Sequence, residues 1–201
     1  MKLAVALALA AIAPAAAAVV PLPARSTSAD PSGYFIPLNL VEKIECGPYI
    51  GTGARIDTST VITAQHVVNA GHCKASGSAA VDINDEPGHD FTTLRATNPS
   101  DMRIAISCEG YVEGREYFAV GYAFGDDFVV QHLTGTGGRV RHGKFAGLAI
   151  LHGNTFPGMS GGPVVDINGA VVGIVNAGPT NGYSLSLSRP LADTYLCKNG
   201  A

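Results

Sequence analysis

From Phe35 onward the chain is written in short apolar runs, and almost every run is cut by Gly, Pro, Asn or Asp within a few residues. No stretch sustains the 3.6-residue apolar period that an amphipathic helix needs, so the pattern admits short strands joined by turns and little else. Strands are predicted at Tyr49–Ile56, Thr60–Thr63, Ala79–Ile83, Ile104–Ser107, Glu116–Tyr122, Val129–Thr134, Phe145–Leu151, Val164–Ile167, Val171–Asn176 and Tyr183–Leu187. Asp166-Ile-Asn168-Gly169 reads as a hairpin turn, and Pro190 opens a short C-terminal helix over Leu191–Leu196. So many short strands imply an all-β barrel or sandwich. An apolar fraction of 46% against 14% charge supplies a core for one domain or a compact pair of subdomains. The net charge of −3, with no Lys/Arg cluster, gives no surface for nucleic acid.

The first residues read as an address. Lys2 is a positive n-region, Leu3 to Ile12 an apolar h-region, and Ala16-Ala17-Ala18 an A-x-A cleavage site. A signal peptide over residues 1–18 is therefore expected, cut near Ala18–Val19, with residues 19–33 a linker or short pro-segment and 34–201 the folded domain. The apolar run is too short to span a bilayer and is broken by Pro14, so no stable membrane insertion is expected. Delivery to the periplasm or the medium makes disulfides plausible for Cys46, Cys73, Cys108 and Cys197, which allow three pairings. No C-x-x-C or H-x-x-x-H spacing suggests a metal, and nothing calls for a cofactor.

Chemistry concentrates in two windows. Gly158-Met-Ser160-Gly-Gly-Pro163 crowds one hydroxyl with glycines, the arrangement that exposes an Oγ beside free backbone N–H groups. Val61-Ile-Thr-Ala-Gln-His66 ends a β-branched run on a histidine, the residue type that can take a serine's proton near neutral pH. Thr63-Ala64-Gln65-His66 with Gly158 to Pro163 resembles the trypsin-like (chymotrypsin-fold) serine peptidases, in the manner of a bacterial secreted member. The order His, Asp, Ser is that of chymotrypsin.

The resemblance spans Cys46 to Leu191. It implies two packed six-stranded antiparallel β-barrels divided near Gly110–Gly114, with the site between them. It implies a secreted endopeptidase acting on protein or peptide substrates, as a monomer, through an acyl-enzyme. Ser160 is then the nucleophile, His66 the base, and the Gly158 and Ser160 N–H groups the oxyanion hole. The pairing Cys46–Cys73 follows from the family's histidine-loop staple, which leaves Cys108 with Cys197. The alternative is a catalytically inactive scaffold that only binds.

The family's acid precedes an apolar strand. Ser100-Asp101-Met-Arg103-Ile104-Ala-Ile106 supplies Asp101 if Arg103 takes the usually small position. A second register puts Arg103 itself where Asp belongs. Asp101 is the preferred candidate, Asp90 the next, with Asp82 and Asp85 behind. Met159 replaces the Asp that digestive members pair with a new N-terminal ammonium, so activation by N-terminal insertion is not expected. Asn176, Ala177 and Gly178 are expected to line the substrate pocket, with Gly182 near its wall and Asn154 toward its floor. No Asp sits at that level, which favours an uncharged P1 residue. An acidic P1 held by His132, His142 or His152 is the other option.

Overall fold

The first barrel is built from β1 (Val41–Cys46), β2 (Tyr49–Arg55), β3 (Thr60–Thr63), β4 (Cys73–Ala75), β5 (Ser78–Glu86) and β6 (Phe91–Ala96). It closes in the order β1-β2-β3-β6-β5-β4 in a computed structural model that describes residues 38–86, 88–178 and 184–198, with residues 82 and 83 as backbone only. The second comprises β7 (Glu116–Ala123), β8 (Asp127–Arg139), β9 (Ala149–His152), β10 (Pro163–Val165), β11 (Val171–Ala177) and β12 (Leu185–Pro190), closed in the order β10-β11-β12-β9-β8-β7. All ladders within the barrels are antiparallel. The fold is therefore all-β and chymotrypsin-like. The expected signal peptide, the 19–33 stretch and Gly182 lie outside the described residues.

The two barrels share packing. Ile44, Val61, Ile62, Phe91 and Leu94 of the first barrel form one buried cluster with Phe118, Val120, Val165, Val171 and Ile174 of the second. Burying that apolar surface, at roughly 25 cal/mol per Å², fixes the barrels against each other and so sets the geometry of anything built between them. A smaller cluster around Tyr117, Leu133, Leu151 and Val172 fills the rest of the second barrel. Two disulfides add constraint. Cys46–Cys73 joins paired positions of β1 and β4, and Cys108–Cys197 ties the inter-barrel connection to α2 (Tyr195–Lys198).

Three departures from the sequence pattern have local causes. The run Ile104–Ser107 does not form a strand of either barrel. Ile104 N–H donates to Arg55 O, whereas Ser107 N–H donates to Val171 O, so its bonds are divided between the barrels and only an Ile106–Val171 bridge results. Phe91–Ala96 is a strand that its polar residues hide: Thr92 and Thr93 are both buried, with the Thr92 hydroxyl donating to Asn84 O. The C-terminal helix is split into a 3-10 turn at Leu191–Asp193 and α2, because Thr194 sits between them in extended conformation. The Asp166–Gly169 turn joins β10 to β11, with Gly169 N–H donating to Asp166 O.

Candidate active site

Ser160 lies in the loop that leads into β10. Gly158 has φ +91°, and a Cβ there would stand 2.3 Å from Tyr122 O. Gly161 has φ +80°, and a Cβ there would stand 2.1 Å from the Thr63 hydroxyl and 2.7 Å from Ala64 N. Only glycine lets this loop turn left-handed while pressed between the barrels. The first barrel holds it through Thr52 on β2. The Thr52 hydroxyl donates to Gly158 O (2.8 Å), and Thr52 N–H donates to Ser160 O (2.8 Å). Both carbonyls are thus committed. The N–H groups of Gly158 and Ser160 donate no hydrogen bond among the described residues, as an oxyanion site requires. Nothing in the sequence marks Thr52 apart from its position between Gly51 and Gly53.

His66 sits on α1 (Gln65–Val68), the single turn that follows β3. Its neighbour Val67 packs against Gly51, where an added Cβ would lie 2.6 Å from Val67 Cγ1 and 2.9 Å from Ser160 O. Helix turn, glycine and nucleophile loop therefore share one contact. No hydrogen bond joins His66 to Ser160 among the described residues, a contact that in sites of this kind often tightens only when substrate binds.

The carboxylate on His66 is Asp90, and Asp101 is elsewhere. His66 Nδ1 lies 2.8 Å from Asp90 Oδ2 and 3.0 Å from Oδ1, and the His66 backbone N–H donates to Oδ1 at 2.9 Å. Asp101 is exposed in a turn whose neighbour Ser100 donates its N–H to Thr58 O, beyond the end of β2 remote from Thr52. The reason is topological. The strand that pairs with β3 and carries the acid at its start is β6, so the residue before Phe91 faces the histidine. Asp90-Phe-Thr-Thr-Leu94 carried that signal, masked by its two threonines. Of the other candidates, the Asp85 carboxylate accepts from the Gln65 amide at 2.8 Å, and nothing is described for the Asp82 side chain.

Asp90 is itself held by the second barrel. Asn176 Nδ2 donates to both Asp90 O and Asp90 Oδ2 at 2.9 Å, while Asn176 Oδ1 accepts Arg189 N–H at 2.7 Å. The buried Arg189 side chain donates from Nε to His89 O at 2.8 Å, bracing the turn that presents Asp90. Burial pushes the Asp90 carboxyl upward. The hydrogen bond to His66, the charge of His66, the Asn176 amide and the His66 N–H outweigh it, so the group lies below the ordinary carboxylate value. Burial lowers the Arg189 guanidinium, opposed by the carboxylates of Asp193, Asp90 and Glu86.

The expected pocket residues separate. Asn176 turns to Asp90 and is buried, which makes it a support for the acid rather than a pocket wall. Ala177 and Gly178 stay half-buried on the far end of β11, and a Cβ on Gly178 would lie 2.6 Å from Thr155 O. Asn154 is exposed. Next to it Thr155 is buried, with its hydroxyl donating to Ser186 Oγ at 3.2 Å and Ser186 donating to Gly153 O. His132, His142 and His152 are exposed, and His132 Nε2 lies 3.3 Å from Glu116. Met159 is fully buried in the second core and offers no charge.

Among the described residues no His, Cys, Asp and Glu group is placed to hold a metal, and no helix is long and apolar enough to cross a membrane.

Residues 51–174 match the trypsin-like peptidase domain family. Comparison with curated protein sequences finds no match. Among solved structures, the inactive form of the M. tuberculosis H37Rv Rv3671c protein, a serine-to-alanine mutant, superposes with TM-score 0.70 at 21% identity, covering 81% of this chain and 89% of that one. The active form of the Rv3671c protease gives TM-score 0.67 at 21% identity, covering 87% and 89%. A serine endoprotease from Yersinia pestis gives 0.65 at 18% identity, covering 77% of this chain and 60% of that one. At these identities the likeness speaks for the fold.

Proposed function

The chain belongs to the trypsin-like peptidase domain family and is a serine endopeptidase, and from that premise we propose that it cleaves exported or extracellular polypeptides with a triad of His66, Asp90 and Ser160. The observation that carries the triad is the Asp90 carboxylate bound to both the Nδ1 and the backbone N–H of His66. That pairing fixes the proton on Nδ1 and leaves Nε2 to act as base.

Ser160 Oγ attacks the scissile carbonyl carbon while His66 Nε2 takes its proton. The carbonyl oxygen, now an oxyanion, is received by the Gly158 and Ser160 N–H groups. Collapse breaks the C–N bond as His66 passes the proton to the leaving amine. Water, deprotonated by His66, then releases the acyl group and restores Ser160. The imidazolium formed in each half-reaction faces the ionised Asp90.

The P1 side chain lies beside Ala177 and Gly178, the latter closed against Thr155 O. The absence of a carboxylate at Asn154, Thr155, Ala177 and Gly178 favours an uncharged P1. Export rests on Lys2, the apolar Leu3–Ile12 run and Ala16-Ala17-Ala18, with cleavage after Ala18. Two disulfides accord with an oxidising compartment. The test is hydrolysis of an internally quenched peptide library by the mature protein, with Ser160→Ala as control. Cleavage after uncharged residues, abolished in Ser160→Ala, is expected. Undiminished cleavage by Ser160→Ala would remove the serine from the mechanism.

A further inference from the structure

Asp90, the proposed triad acid, stands in a left-handed backbone conformation, φ +48°, that a residue with a Cβ resists. Two rigid peptide planes flank any residue; the one before it sets φ and the one after it sets ψ. At Asp90 both planes are bound from the second barrel. The His89 carbonyl, in the plane before Asp90, accepts from Arg189 Nε at 2.8 Å. The Asp90 carbonyl, in the plane after it, accepts from Asn176 Nδ2 at 2.9 Å. The Asn176 amide is itself oriented by Arg189, whose N–H donates to Asn176 Oδ1 at 2.7 Å and so leaves Nδ2 to face the acid. One residue of β12 thus governs both planes, the first by its side chain and the second by its backbone.

The fold alone gives no reason for an arginine at this place. Leu185 and Leu187, on the same face of β12, are half-buried, whereas Arg189 is only 5% exposed. Among the described residues its guanidinium forms no salt bridge, and Asp193, Asp90 and Glu86 reach it through charge without contact. A buried cation with no direct counter-ion destabilises a fold, and an apolar side chain of similar volume would fill the space without that penalty. We propose that Arg189 is a positioning residue for the triad: it pins the His89–Asp90 peptide, so that Asp90 stays left-handed and its carboxylate stays on His66. Once released, the peptide turns toward negative φ and carries the carboxylate away from the His66 Nδ1 and N–H that it accepts from. Arg189 acts only through Asp90, and the inference rests on the triad reading above.

The experiment is a double-mutant cycle on the hydrolysis of a p-nitroanilide, using Arg189→Met, Asp90→Asn and the pair, each checked for folding by circular dichroism. Arg189→Met keeps the stem and the backbone N–H and removes the side-chain donor. It should lower kcat about 10²-fold, as a misplacement of about 1 Å does, with KM unchanged. In the Asp90→Asn background the same substitution should change kcat little, because the path it acts through is already broken. Arg189→Gln places an amide nitrogen where Arg Nε stands and should recover most of the loss. The downfield proton resonance of His66 Nδ1–H should be present in wild type and Arg189→Gln and lost from Arg189→Met. Wild-type kcat in a folded Arg189→Met overturns the proposal and leaves the peptidase reading intact. An equal loss in both backgrounds does the same, since Arg189 would then act independently of Asp90. An Arg189→Met that fails to fold makes the residue a support of the fold and also overturns the proposal. A wild type that neither hydrolyses the anilide nor reacts with a fluorophosphonate overturns the peptidase reading and the proposal together.

Discussion

Replacing Asp90 by Asn removes a charge and an acceptor at the point where the structure leaves least room for either loss. The native carboxylate meets three donors: the His66 N–H at Oδ1, the protonated His66 Nδ1, and the Asn176 amide at Oδ2. An asparagine has one acceptor oxygen. If its NH2 takes the Oδ2 position, it faces the Asn176 NH2 and forces Nδ1 to accept, so the proton moves to Nε2 and the base is lost. If its NH2 takes the Oδ1 position, it opposes the His66 N–H and the imidazolium loses its counter-charge. Each orientation leaves a donor–donor conflict of about 1–3 kcal/mol. The wrong-tautomer outcome in triads of this kind costs roughly 10⁴ in kcat, about 5.5 kcal/mol of transition-state stabilisation. The assay is steady-state hydrolysis of an anilide at pH 8 by wild type, Asp90→Asn and Asp101→Asn, with folding checked by circular dichroism. Asp90→Asn should retain about 10⁻⁴ of the activity, and Asp101→Asn nearly all of it. A folded Asp90→Asn within tenfold of wild type, or a collapse in Asp101→Asn, would refute the assignment.

Gly158→Val should lower kcat by about 10²–10³, since its Cβ meets Tyr122 O and the N–H it carries is displaced from the oxyanion; near-normal kcat in the folded variant would show that this donor is not used. Glu42→Ala strands the buried Arg55 guanidinium, now 2.6 Å from the Glu42 carboxylate through Nε, and should destabilise the fold by about 3–5 kcal/mol in urea titration. A loss under 1 kcal/mol would contradict this. Because the Asp90 carboxyl is held below the ordinary carboxylate value by the hydrogen bond and charge of His66, its contribution to stability is complete above that ordinary value and is lost as the pH falls through the lower folded value. The stability gap between wild type and Asp90→Asn should therefore hold steady from pH 7 to 5 and close only below the ordinary carboxylate range of about pH 4; a gap that closes already at pH 6 would assign it to another group.

What the sequence made legible follows from how local each signal is. Ser160 and His66 are flagged by their immediate neighbours, because glycines must surround a loop pressed against Tyr122 O and Ala64 N. The barrels are announced by turn-punctuated apolar runs. Asp90 was harder, since its strand carries two threonines that satisfy their hydroxyls inside the protein and so read as polar. A more apolar run at Ile104 drew the acid to Asp101, although that run only bridges the barrels. Thr52, Asn176, Thr155 and Arg189 act across sequence separations from 31 to 106 residues, and no local pattern encodes a partner so distant. The buried side chain of Asn176 illustrates the limit: the strand placed it at the site, but only the register with β12 turned it onto the acid.

The proposed activation of Ser160 by His66 and Asp90 can be read from a single reaction, that of the mature protein with a fluorophosphonate, the adduct being located by peptide mass mapping. One phosphonyl group per chain is expected, on the peptide containing Ser160, formed far more slowly in Asp90→Asn and absent in Ser160→Ala. An adduct on any other residue, or labelling of Ser160→Ala at the wild-type rate, would contradict it.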